Sequence, residues 1–423
     1  MSPALEMDLI RPSTNADAWG RYYTSHEISR VLVNAMTCVR PKLVLELGAG
    51  ECALASAAHQ KWKKAAFVTV DMDLAVTSSG WPRSTKTSHV HHALDALDDE
   101  LADRIGVPLG SVDVGLCNPP YVRPRWRASF GKILEEAGLS GALRSVHDAG
   151  ADLLFIAQNL RLLRDGGKLG LVIPDGLITG QKYRGVREVL LREHRVESVV
   201  QLPRSAFAKT EAQTYLLVLS KQEGETQSVL LSQMNDAKEV SSSISISADL
   251  AKSRLDYSFH ASLARPHRGG ASRKCRKLGD LAQGLLRGAT SSSQIKSCPF
   301  PVFHLRDFPA VELAGDVPMV PSKFIHSPNE FDSCRRKYRV AEAGDILIAR
   351  IGRNLQKKVC LLGSGSCVIS DCIFAIRVAP ELREKLINYL LSDEGGVALG
   401  AASHGVGAKH LSRSDVLDLV LPF

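Results

Sequence analysis

Over the first 220 residues, short apolar runs alternate with helix-like stretches. Continuous apolar strands are predicted over 42–47 (KLVLEL), 66–70 (AFVTV), 112–117 (VDVGLC), 168–174 (KLGLVIP), 199–202 and 214–219 (TYLLVL), with a helix over 52–60 after a Gly-bearing turn. Strands apolar on both faces and separated by amphipathic helices indicate a mostly parallel sheet covered on both sides, a doubly wound α/β domain. From Lys221 to about Arg276 the pattern loosens into Ser, Gln and Lys. Beyond it come short strands over 302–305, 345–349, 358–362 and 372–378 and one clear helix over 381–391, the pattern of a smaller α+β domain. The expected division is therefore a first domain over 1–222, a connector over 223–275 and a second domain over 276–423.

Composition narrows the class. The 423 residues are 44% hydrophobic and 23% charged, enough apolar material for two or three cores and too much for a disordered or disulfide-scaffold chain. No apolar run approaches the roughly 18 residues of a spanning helix, and 1–10 lacks a basic region followed by an apolar core. A soluble cytoplasmic protein without membrane attachment is expected. None of the nine cysteines is spaced CxxC, so reduced thiols are expected and no metal site. The net charge of +8 is unevenly held: 1–250 carries 28 basic and 29 acidic residues, and 251–423 carries 25 and 16. A basic half beside a neutral one suits phosphate binding, and equally a solubilising surface.

Four features of the first domain carry chemistry. Glu46-Leu47-Gly48-Ala49-Gly50-Glu51-Cys52 follows a strand, and its glycines allow close approach of backbone to a bound cofactor, although such joints are also common as plain turns. Asp71 ends the next strand with Asp73 two residues on, a place from which a carboxylate reaches ribose hydroxyls. Asp95 fits an exocyclic amine at the far end of such a cofactor. Taken singly, each of these acids reads as readily as a solvated strand-end carboxylate. Cys117-Asn118-Pro119-Pro120-Tyr121 is the most specific feature. Two prolines fix φ and bias Asn118 towards an extended backbone, so that its side chain and the Pro119 carbonyl can accept hydrogen bonds from one planar amino group while Tyr121 offers a stacking face. Drawing the nitrogen lone pair out of conjugation makes an sp2 amine nucleophilic.

These motifs resemble those of S-adenosylmethionine-dependent amino methyltransferases, specifically the adenine-N6 DNA enzymes. Tyr22-Tyr23-Thr24-Ser25-His26-Glu27 resembles the "YYT" element that packs over the methionine part of the cofactor, and its place before the Gly-rich turn marks the gamma motif order of type I modification subunits and TaqI-type enzymes. The resemblance implies a Rossmann-like domain and a cofactor site at Tyr23, Thr24, Glu46, Gly48, Gly50, Asp71, Asp95 and Asn118. It implies catalysis at Asn118, Pro119, Pro120 and Tyr121, with the flipped base stacked on Tyr121 and on Phe207 of Leu202-Pro203-Arg204-Ser205-Ala206-Phe207. The likeness covers roughly 20–220 and is looser at Cys52, at Phe207 and over 123–150, where Arg123, Arg125, Trp126 and Arg127 read equally as a DNA-contacting loop and as a solvated lid.

Lys277-Leu278-Gly279-Asp280-Leu281, Gly344–Arg350, Ser403–Leu411 and the closing Leu419–Pro422 resemble segments of type I target recognition domains. Arg350, Arg353 and Lys409 are the candidate DNA contacts there, with plain surface basic residues as the alternative. The expectation is a monomeric, site-specific adenine-N6 methyltransferase acting on double-stranded DNA. Its setting would be bacterial and nucleoid-associated, in restriction-modification or phage defence beside a cognate restriction enzyme or other subunits. The competing readings are a modification subunit that needs partner proteins, an RNA methyltransferase, and a protein glutamine methyltransferase.

Overall fold

A computed structural model describes residues 24–37, 40–73, 81, 88–207, 212–264, 275–309, 317–327, 338–352, 354–404 and 409–423. The chain divides into two compact units, Met1–Tyr257 and Ser258–Phe423. Among the described residues, no helix is long and apolar enough to cross a membrane.

The first unit is built on one nine-stranded sheet. Its strands are β1 (Leu43–Leu47), β2 (Ala66–Asp71), β3 (His89–Ala93), β4 (Val112–Cys117), β5 (Leu163–Pro174), β6 (Arg195–Gln201), β7 (Thr214–Ser220), β8 (Ser228–Gln233) and β9 (Ile244–Ser247). They lie in the order β3-β2-β1-β4-β5-β7-β6-β8-β9. From β3 to β5 all neighbours are parallel, while β7 runs antiparallel to both β5 and β6. The helices are α1 (His26–Ala35), α2 (Ala53–Lys61), α3 (Leu101–Ile105), α4 (Ala128–Glu136), α5 (Ala151–Leu162), α6 (Asp175–Thr179), α7 (Arg184–Glu193) and α8 (Ala248–Ser253). Side chains alternate between the two faces as the pleat requires. Val44, Val114, Leu116, Leu216 and Val218 pack with α1 and α2, whereas Leu45, Leu47, Leu217 and Leu219 pack with α3–α7. Both faces are covered, which is why these strands read as unbroken apolar runs. The chain is a doubly wound α/β fold.

Where the sequence suggests a connector over 223–275, the sheet continues: β8 pairs in parallel with β6, and β9 closes the edge. The reason is that Val229, Leu231 and Ile246 face the core while Ser228, Leu230, Ser245 and Ser247 face solvent, an alternating pattern that Ser-rich flanks obscure. The end of the unit is fastened by Arg187, 1% exposed, which donates to the carbonyls of Leu177, Gly180, Lys252 and Ser253 at 2.7–3.1 Å.

In the second unit, strands Ala282–Arg287, Ile373–Val378, Ile346–Ala349 and Val359–Leu361 form an antiparallel sheet, and Val302–Phe303, Ser366–Ile369 and Val340–Glu342 form a smaller one. Leu386, Ile387 and Leu390 of the helix Pro380–Leu391 close one core. This is the α+β unit expected, and among its described residues the helices Leu278–Leu281, Asp393–Ala402 and Arg413–Leu417 add to the one read from sequence.

Candidate active site

The strand order reverses at β1, whose neighbours β2 and β4 lead in opposite directions across the sheet, and open α/β sheets bind ligands in the crevice such a switch leaves at the carboxyl ends of the strands. Here that crevice is a cleft open to solvent. Among its lining residues are Thr24, Glu46, Gly48, Gly50, Asp71, Asp95, Asn118 and Pro120. Eight of the residues named from sequence therefore share one cavity.

The Gly-rich turn is held by its own backbone. Gly48 and Ala49 both donate to the Val70 carbonyl, at 2.9 and 3.0 Å. Gly48 has φ +70°, and a Cβ there would meet the Phe155 ring at 3.2 Å. Cys52, where a glycine is expected, sits in the left-handed region at φ 58° just before α2, with its side chain fully buried. Asp71 Oδ2 accepts from the Gly50 amide at 2.8 Å and Oδ1 from Asp73 at 2.9 Å, which fixes the carboxylate at the cleft edge.

Glu46 is 2% exposed, and its Oε2 accepts from the Ala55 amide in the first turn of α2 at 2.8 Å. Burial pushes its carboxyl up to about 8, helped by the Asp71 charge and opposed by the Ala55 and Leu54 amides. A carboxyl raised this far favours its protonated form at neutral pH.

Asn118 follows the end of β4. Its Nδ2 donates to Thr24 Oγ1 at 2.9 Å, and the Tyr121 hydroxyl donates to its Oδ1 at 3.2 Å. The side chain is thus held from both ends, with its oxygen on the Tyr121 side. Pro119 is buried. A fixed amide acceptor in a cleft that Glu46, Glu51, Asp71 and Asp95 also line can receive an exocyclic amine next to a nucleoside-bearing ligand. Among the described residues, no cluster of His, Cys, Asp or Glu is arranged to hold a metal ion.

Other expected residues lie elsewhere. Phe207 is 4% exposed and packs in the α1–α2 core with Leu202 and Met234, away from the cleft lining. Arg123 is exposed and donates to the His147 carbonyl and to Asp148, and Arg125 is exposed. Arg350 and Lys409 belong to the second unit, where Arg350 Nε donates to the Asp371 carbonyl at 2.8 Å. Tyr23 and Arg353 lie outside the described residues. Met72, Leu97, Pro124, Ala151 and Phe155 also line the cleft and were not anticipated. Leu97 lies two residues after Asp95, close enough to flag, whereas Phe155 is one of twelve buried positions in α5 and carries no local signal.

Known proteins resemble parts of this chain. The N-6 DNA Methylase family pattern matches residues 83–255. A type I restriction enzyme MpnII methylase subunit from Mycoplasma pneumoniae is 27% identical over 110 residues, 26% of this chain and 20% of the relative. Among solved structures, the type IIG restriction endonuclease BpuSI superposes with a TM-score of 0.50 at 13% identity, over 96% of this chain and 59% of that one. The methyltransferase subunit of a type I restriction-modification system from Streptococcus thermophilus gives 0.42 at 20% identity, over 51% and 48%. The chain thus spans well under two thirds of the length of these relatives. Over residues 83–255, within a doubly wound fold, the chain is similar to the N-6 DNA Methylase family.

Proposed function

We propose that the chain transfers a methyl group from S-adenosylmethionine to the exocyclic N6 of an adenine flipped out of double-stranded DNA. The observation that carries this reading is the fixed Asn118 amide in the same cleft as Glu46, Asp71 and Asp95. The cleft suits the cofactor: Gly48 leaves room where a Cβ would press on Phe155, and Glu46, Asp71 and Asp95 line it as acceptors for an ammonium, ribose hydroxyls and an adenine amine. When bound, the cofactor supplies an electrophilic methyl on a sulfonium.

The protein's part is placement. Asn118 Oδ1 and the Pro119 carbonyl would accept both hydrogens of the target amine, drawing its lone pair out of the ring. Tyr121 would stack on the base, at about 1–3 kcal/mol, against the few kcal/mol that extruding it costs. Asn118 Oδ1 accepts one bond from the Tyr121 hydroxyl, and its second lone pair would take the amine. Positioning and charge placement would account for most of the acceleration, and the proton can leave after transfer. Stacking by Phe207 would require its ring to leave the α1–α2 core. The basic second unit, with Arg350, Arg353 and Lys409, would contact DNA, phosphates positioning and base edges specifying.

The test is transfer of labelled methyl from S-adenosylmethionine to unmethylated duplex DNA by the purified chain, followed by nucleoside analysis. N6-methyladenine is expected. Cofactor binding without transfer to DNA would instead favour a subunit that needs partners, or another amine substrate.

A further inference from the structure

In the turn after β3, Asp95, Asp98 and Asp99 each take a basic partner. Asp95 takes Arg127 at 2.8 Å, Asp99 takes Lys132 at 3.1 Å, and Asp98 pairs with Arg104. Asp98 and Asp99 serve to dock α3 and α4 on this turn. Asp95 differs because it also lines the cleft. Its Oδ1 accepts from the Leu97 amide at 2.8 Å and its Oδ2 from Arg127 Nη2 at 2.8 Å. Arg127 is itself held from a second direction, its guanidinium 4.6 Å from the centre of the Phe130 ring. By sequence Arg127 belongs with Arg123 and Arg125 as one basic loop. The structure separates them: Arg123 turns outward to Asp148, whereas Arg127 turns inward to the cleft carboxylate.

We propose that Arg127 is a positioning residue for the purine end of the cofactor. It locks the Asp95 carboxylate so that the cleft accepts a 6-amino purine and rejects a 6-oxo purine, and it ties the segment between the Asn118 turn and α4 to that end of the cleft. The inference rests on the proposed cofactor site. A carboxylate only accepts hydrogen bonds, so it pairs with an amine and faces the lone pairs of a carbonyl oxygen. A carboxylate free to rotate can turn away and let water between, which weakens the discrimination. One pinned by Leu97 on one oxygen and Arg127 on the other cannot. The remaining lone pairs of Asp95 then point in a fixed direction, and the size of the effect is that of a hydrogen bond to a charged group, about 10- to 100-fold in affinity.

The experiment is calorimetric binding of S-adenosylhomocysteine and its deaminated S-inosyl counterpart to the full chain and to Arg127→Ala, Arg127→Lys and Arg123→Ala. Wild type and Arg123→Ala are expected to prefer the 6-amino ligand about 10- to 100-fold. Arg127→Ala brings the ratio to about threefold or less by weakening the amino ligand alone. Arg127→Lys, which keeps the charge and one donor, recovers part of the preference and carries the test if the alanine variant melts before binding can be read. An unchanged ratio in both Arg127 variants overturns the proposal, and an accompanying loss of DNA affinity makes Arg127 a DNA contact instead. Binding of neither ligand by wild type overturns the proposed cofactor site and this inference with it, whereas binding without preference overturns the inference alone.

Discussion

Glu46→Gln is expected to stabilise the first unit while weakening cofactor binding, with the gain in stability growing with pH. The carboxyl is 2% exposed and held up to about 8 in the folded chain against 4.5 when solvated. A raised folded value means the folded state keeps its proton where the unfolded chain has released it. The stability this group contributes is therefore complete below pH 4.5 and is lost as pH rises towards 8. At about 1.4 kcal/mol per pH unit, the loss reaches about 3 kcal/mol at pH 7 and about 5 kcal/mol above pH 8. Glutamine resembles the protonated acid, keeps an acceptor for the Ala55 amide and has nothing to ionise. The variant and wild type should thus melt together near pH 4.5 and separate by roughly 6–12 °C at pH 7, using about 2–4 °C per kcal/mol for a unit of this size. Scanning calorimetry from pH 4.5 to 8.5 reads this, the first unit's transition being the one that cofactor shifts. Cofactor binding to wild type near pH 7 should in turn release protons, seen as a calorimetric enthalpy that depends on the buffer, as the ionised form becomes useful to a bound cation or hydroxyl. A stability gap that stays constant with pH, or that favours wild type more as pH rises, would refute the reasoning.

Three further predictions concern other parts of the unit. Asn118→Ala should lower single-turnover methyl transfer by about 10²–10³-fold or more while cofactor affinity stays within about threefold, and equal loss of both would remove its assigned role. Phe207→Ala should destabilise by about 3–5 kcal/mol in denaturant titrations, as for other buried aromatics. A stability near wild type together with weaker binding to DNA carrying an unpaired adenine would show instead that the ring serves the base. Arg187→Met leaves four carbonyls without their donor and should lose about 3–5 kcal/mol, checked by the same titrations; a loss under about 1 kcal/mol would show that the end of the unit is fastened by other contacts.

What was legible in the sequence follows from how far apart the partners of each residue lie. β1, β2, β4 and β7 are flanked by helices on both faces, so their apolar runs are unbroken and their limits could be read to within a residue or two, whereas β5 starts five residues early, at Leu163, through the exposed Arg164 and Asp165. β3 is the edge strand HVHHA, and it escaped notice because its polarity is satisfied across the sheet: His89 Nε2 and His91 Nδ1 both meet the Thr69 hydroxyl at 2.9 Å. The same logic divides the site. Glu46, Gly48, Gly50, Asp71 and Asn118 lie at strand ends or in the turns beyond them, where residue type and backbone geometry are set together, so a short motif is enough to find them. Phe155 and Arg127 are placed by tertiary packing, one against Gly48 and the other against Asp95, and nothing in a run of apolar helix positions or in a basic loop distinguishes them. Phe207 shows the converse. A motif placed its ring over the target base, yet the surrounding Leu202 and Met234 give it an apolar enclosure that a base would have to match. A motif thus locates the cleft proposed to carry the chemistry, but which nearby rings and cations would serve it depends on the alternatives the fold offers them.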